Sequence, residues 1–288
     1  MSWVLFALGA ALASGLMIVI EKRALMKEHA MEFSAVFAIF TFIMSLVLIP
    51  RIDLHLPILT YVFIYIASLF ITLILFFEAK GIRHLEVSVA APLLNVGPAL
   101  TAVFAFIVLG EKISPLNVGG IGLIVVGAYL LESNKLSIHF MEPLKKLISH
   151  KHTLYILAAM VLLSILVIIN KSLLAHVDVY TFIFIYTFFI AFNFILLIHI
   201  FHDGFKGIVH GIKNAGRFII VMAVLLFVSR LLYFNALNMF KASLVFPVVK
   251  MNAFFSTVIG GALFHDHHYA SRIVASLVMV FGVLLVAL

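Results

Sequence analysis

Two cations sit deep inside apolar sequence with no acid beside them. Arg230 falls about ten residues before the polar break near Lys241, and Lys250 about ten residues after it. At about 1.5 Å per residue, each lies roughly 15 Å along its run, near the midplane of a bilayer if the runs span one. They could then face each other across the hairpin. A lysine or arginine at the centre of a span costs about 2.5 to 3.5 kcal/mol, so something must compensate both. A carboxylate or phosphate on a ligand is the simplest partner. A structural ion pair with Glu78 or Glu21, or snorkelling to an interface, is the competing reading. Tyr233, about one turn from Arg230, would add a donor, whereas Asn252 and Ser256 fall on another helix face and are expected to serve packing.

A second group repeats. Ser88, Pro92 and Asn95 are spaced i, i+4, i+7 on one helix face with Pro98 close by, and Ser243, Pro247 and Lys250 repeat that face 155 residues later. A proline inside a helix frees the carbonyl four residues earlier, here those of Ser88, Leu94 and Ser243. In hydrocarbon such oxygens need partners, so the repeated face is expected to wall a wet, protein-lined cavity; a kink that only improves packing is the alternative. Glu78 is the acid best placed for burial and the candidate proton carrier, with an interfacial pair to Lys80 or Arg83 as the competing role. Lys22, Asn170 and Lys171 recur at matching helix ends, since Glu21-Lys22 maps onto Asn170-Lys171 at a shift of 149.

The elements that must position these groups follow from composition. Of 288 residues, 65% are hydrophobic and 11% charged, which excludes a soluble globular domain. With no cysteine, disulfides and thiolate metal sites are excluded. The net charge of +7 sits mostly between apolar runs, as membrane-flanking loops do, and nucleic acid is not expected as a partner. Ten candidate spans are read near 3–25, 33–50, 57–78, 86–109, 114–132, 153–174, 179–201, 216–237, 242–264 and 271–288. The apolar start is read as the first span, not a signal peptide, because no basic residue precedes it. The longest break carries Lys135, Pro143, Lys145, Lys146 and Lys151, and its 136–148 part is either a surface helix or a solvated linker.

Shifts of 149 to 157 residues superpose the landmarks of one half on the other. Residues 1–132 therefore form a first five-helix repeat, 133–152 a linker and 153–288 a second repeat. An odd number of helices makes the second copy enter from the opposite side, an inverted repeat of the kind that builds secondary transporters. The fold class is an all-α integral membrane protein of ten transmembrane helices.

The Ala-Pro-Leu-Leu-Asn-Val-Gly-Pro run ending in Leu109-Gly110-Glu111-Lys112, and the glycine-rich helix from Gly119-Gly120 to Gly127, resemble the EamA-like branch of the drug/metabolite transporter superfamily. The resemblance covers nearly the whole chain and implies a secondary transporter or exporter of metabolites, with a central cavity lined by helices 1, 3, 4, 6, 8 and 9. It departs where Phe264-His265-Asp266-His267 replaces the Leu-Gly-Glu-Lys run. Orientation stays open. Breaks after odd-numbered spans hold 13 basic residues against 4 in the others, which places both termini outside, while the family arrangement is the reverse.

The expected function is export or exchange of a small anionic or zwitterionic metabolite by alternating access, most simply in the inner cell membrane. Transport of hydrophobic or cationic compounds and a non-transporting assembly role are the alternatives, and a homodimer is allowed. No enzymatic constellation, cofactor site or metal site is expected, since His265-Asp266-His267-His268 reads as a solvated turn.

Overall fold

The computed structural model describes residues 2–25, 30–82, 93–132, 151–201, 204–264 and 269–287. Every regular element among them is helical: α1 Ser2–Leu25, α2 Ala30–Ser45 continued by a 3-10 turn Leu46–Arg51, α3 Ile58–Ile82, α4 Gly97–Leu109, α5 Pro115–Glu132, α6 Lys151–Leu174, α7 Val179–Phe201, α8 Phe205–Met239, α9 Ala242–Val249, α10 Asn252–Phe264 and α11 Tyr269–Ala287. Seven stretches are long and apolar enough to cross a membrane, one of them, Ala242–Ile259, formed by α9 and α10 together. Shorter apolar helices cover 97–109, 115–130 and 277–287. Ten full-length spans were the sequence expectation. Six described helices and the combined α9–α10 stretch reach that length; α4 falls short because it is preceded by a turn, and residues 83–92 lie outside the described set.

The packing pattern maps onto itself when the halves are exchanged. Helix α1 packs on α8 and α6 on α3; α2 packs on α8 and α7 on α3; α1 packs on α10 and α6 on α4. The pairs α2 with α7 and α5 with α11 join equivalent helices. Close approach in the last pair requires glycine. A Cβ at Gly120 would stand 2.7 Å from the Gly282 carbonyl oxygen, and one at Gly282 the same distance from that of Gly120. The 155-residue shift turns Gly120 into Ala275 and Gly127 into Gly282, and a Cβ at Gly127 would meet the Ala275 oxygen at 3.0 Å. Small residues let helix backbones approach where lipid offers no hydrophobic drive to association.

Interior hydroxyls mostly donate to carbonyls of their own helix, and a few polar contacts also join helices. Thr187 Oγ1 donates to Ser45 Oγ at 3.0 Å, and Asn193 Nδ2 to Ser68 Oγ at 3.1 Å. These bonds fasten α7 to α2 and α3. Gly110, with φ of 65°, ends α4 in a left-handed turn, the conformation glycine adopts without strain.

Candidate substrate cavity

Both broken helices break at equivalent residues. In the second half, α9 ends at Val249 and α10 begins at Asn252, with Lys250 and Met251 in a turn. In the first half, Asn95 and Val96 form the turn and α4 begins at Gly97. Asn95 and Lys250 are related by the 155-residue shift. The turn closes with i to i−3 bonds, the Lys250 N–H donating to Pro247 O at 3.1 Å and the Met251 N–H to Val248 O at 3.0 Å. Pro247 sits inside α9 and has no N–H to give. Pro98 differs from the interior kink expected of it. Because α4 starts at Gly97, Pro98 occupies the first helical turn, where a missing N–H costs nothing.

The carbonyls at the two restarts are met by equivalent positions. Ser164 Oγ donates to Gly97 O at 3.2 Å. The matching residue on α1 is Gly15, and a Cβ there would come within 2.9 Å of Asn252 O. One half places a hydroxyl against the carbonyl; the other brings two backbones together.

A cavity of about 270 Å³ opens at the breaks, lined by Ile18, Glu78, Leu94, Asn95, Lys250, Asn252, Ala253, Ser256 and Thr257. It brings together three residues chosen from sequence: Asn95, which is 5% exposed, Lys250 and Glu78. Lys250 Nζ stands 5.6 Å from the Phe246 ring centroid. The N-terminus of α10 joins the wall through Asn252, so the positive end of a half-helix dipole adjoins the lysine. Asn252 and Ser256, expected to serve packing, line the cavity. The break accounts for that difference, since it resets the helical register after Lys250 and turns a new face inward. Thr257 was not singled out for the same reason.

Arg230 lies outside this lining. Its guanidinium stands over the ring of Tyr186 from α7, 5.7 Å from the centroid. Asn170 from α6 abuts the Tyr186 hydroxyl, and its buried Oδ1 has no hydrogen-bond partner among the described residues. Tyr233, one turn further along α8, packs on Phe234, whose ring meets Tyr186 edge-on at 6.0 Å. Neither Arg230 nor Lys250 has an acid within 4 Å among the described residues, although Glu78 shares the cavity with Lys250 and interacts with it electrostatically.

Lys171 and Ser243 are held at the junction of α8 and α9. Lys171 Nζ donates to the carbonyls of Leu237 at 2.6 Å and Phe240 at 2.9 Å, capping the end of α8. Glu111 accepts from the N–H groups of Ala242 at 2.8 Å and Ser243 at 3.0 Å and from the Ser243 hydroxyl, capping the start of α9. Ser243 and Pro98, read from sequence as cavity wall, are buried in packing, and neither they nor Pro247 appear in the cavity lining. The role of Glu111 was not foreseen; its only signal was the recurrence of an acid at Asp266. Ser88, Pro92 and the His265 to His268 run lie outside the described residues, and so does the side chain of Lys22.

Fold and cavity define a multi-pass, all-helical membrane protein built on a duplicated half with paired broken helices. The model of the EamA-like transporter family matches residues 1–133 and 150–288. The chain belongs to that family, within the drug/metabolite transporter superfamily, and is a membrane transporter by family. A solved structure titled "Crystal structure of protein" is similar with a TM-score of 0.75 over 100% of this chain and 99% of that one, at 15% identity; the likeness is one of fold. No curated protein matches the chain.

Proposed function

We propose that the chain is a secondary transporter of a small anionic or zwitterionic organic solute, working by alternating access. The carrying observation is that two cations within apolar spans, Lys250 and Arg230, have no acid within ion-pair distance among the described residues, and that Lys250 opens into a cavity. A cation in a span is costly; Glu78 in the same cavity interacts electrostatically with Lys250 without an ion-pair contact, so a bound carboxylate or phosphate would supply the direct partner that is missing. Glu78 in the same cavity suits either an amine on the solute or a transported proton. Counting α9 and α10 as one broken span, with the three short apolar helices completed in the membrane, gives ten spans. The repeats would then be 1–132 and 153–288 joined by 133–152, a division supported by the two matched segments. The inner cell membrane is the expected site of action. Export is one direction consistent with the family, and exchange is another.

The test is solute flux in proteoliposomes containing the purified protein, Lys250→Met or Arg230→Met. Flux of the preferred carboxylated or phosphorylated solutes should fall at least tenfold in each variant. Undiminished flux of those solutes in both variants would refute the site. The solute class is found beforehand by thermal-shift screening, since a ligand that binds only the folded state stabilises it by mass action.

A further inference from the structure

Helix α8 is longer than a bilayer requires. Its 35 residues extend about 50 Å, whereas the apolar span within it covers Gly216–Met239. The eleven residues before that span, 205–215, have two distinct faces. On one, Gly207 and Gly211 let the backbone lie against α2, with a Cβ at Gly211 only 3.1 Å from Val36 Cγ2. The other face is exposed and carries Lys206, Lys213 and, one turn on, Arg217, at i, i+7 and i+11 and therefore in one stripe. Beside the stripe stand Phe205, 71% exposed, and Val209, 51% exposed. A shallow groove of about 390 Å³ runs between Phe205, Lys206, Val209, His210 and Lys213.

Neither water nor hydrocarbon suits this face alone. Water would strand Phe205 and Val209, and they continue an apolar band from the end of α7, where Ile200 and Phe201 are 68% and 71% exposed. Hydrocarbon would strand the lysines. The boundary of the bilayer accommodates both. Asp203 precedes the stripe in sequence, and from there to Asp266 the chain has no acid, so the three cations outnumber the acids on their own helix. The nearby acid, Glu32 of α2, is 7% exposed and packs beneath Gly207 on the opposite face.

We infer that this face of α8 binds the phosphate headgroup of an anionic membrane phospholipid. Lys206 and Lys213 hold the phosphate across the groove, Arg217 extends the cationic rail toward the span, and Phe205 and Val209 receive the glycerol backbone and first methylenes. The site is independent of the transport cavity and of what the cavity carries.

The experiment uses the full chain in maltoside micelles with short-chain phosphatidylglycerol and phosphatidylcholine competing for it, read as bound lipid by native mass spectrometry. The unmodified protein should retain phosphatidylglycerol selectively. A basic residue near an anionic surface contributes on the order of fivefold, so Lys206→Gln with Lys213→Gln and Arg217→Gln should lower that affinity roughly a hundredfold. Lys112→Gln, removing an exposed lysine elsewhere, should leave it unchanged. All four side chains are exposed, and an unaltered Trp3 emission spectrum shows that each variant is folded. Equal retention of the two lipids, a selectivity that survives the triple variant, or displacement by glycerol phosphate as effective as by the lipid would each overturn the inference.

Discussion

Removing the Glu111 carboxylate should loosen the junction of α8 and α9 by an amount that the structure bounds. The carboxylate receives two backbone N–H groups and one hydroxyl, at buried residues Ala242 and Ser243. Ser243→Ala deletes the hydroxyl bond alone, and a hydrogen bond to a charged group contributes about 1.5 to 3 kcal/mol. Glu111→Ala deletes that bond and the cap as well, and a lost cap adds up to about 2 kcal/mol, so its cost should exceed that of Ser243→Ala and reach at most about 5 kcal/mol. In the Glu111→Ala background Ser243→Ala should then cost almost nothing, leaving a coupling energy of about 1.5 to 3 kcal/mol between the two sites. The assay is built into the chain. Its single tryptophan, Trp3, stacks on Phe240 at 4.5 Å, two residues before the capped helix. Equilibrium unfolding in mixed micelles followed by Trp3 fluorescence reports on this junction. Strictly additive costs, within about 0.5 kcal/mol, would refute the capping role.

Two further substitutions test the frame. Gly120→Val should disrupt the contact of α5 with α11, because its Cβ would stand 2.7 Å from the Gly282 oxygen; overpacking of about 1 to 3 kcal/mol or more is expected, read as a lower unfolding midpoint in the same assay. Gly15→Ala should cost a similar amount and slow flux, since its Cβ would meet Phe255 Cβ at 2.7 Å and Asn252 O at 2.9 Å beside the break of the second helix. At the equivalent position Ser164→Gly should cost only about 1 kcal/mol, the worth of one neutral hydrogen bond. Equal losses at the two positions would argue that the break is not set by close packing on α1.

Much of the fold is legible in the sequence because membrane burial leaves few options for the backbone. Apolar runs must be helical, and the recurrence of Ser, Pro and Gly at a constant shift marks the duplication. The meeting of Asn95 with Lys250 in one cavity follows from that shift. What sequence could not supply was the effect of the break itself. A helical wheel drawn through Lys250 places Asn252 and Ser256 away from the lysine, and only the turn at 250–251 brings them to its side. For the same reason Pro98, counted as an interior proline, begins a helix. Lys171 and Glu111 are legible as polar residues near span ends, but apart from the Ser243 hydroxyl their partners are backbone groups 66 to 132 positions away, and backbone groups carry no sequence signature.

The two halves share a frame and differ where charge meets the cavity. The contacts of α1 with α10 and of α6 with α4 are equivalent, and both helix breaks fall at equivalent residues. Yet Lys250 has Asn95 as its counterpart, and Glu78 has Asn235. Each charged group in the cavity is thus matched by a shorter amide, which keeps polarity but carries no charge. Asn95 shares the cavity with Lys250, whereas Asn235 turns back to its own helix, donating to Leu231 O at 2.7 Å. A symmetric frame would offer a solute two equivalent poses related by exchange of the halves. With one cation and one acid at non-equivalent positions that degeneracy is lost, and under the proposed function a charged solute would bind in one orientation rather than two.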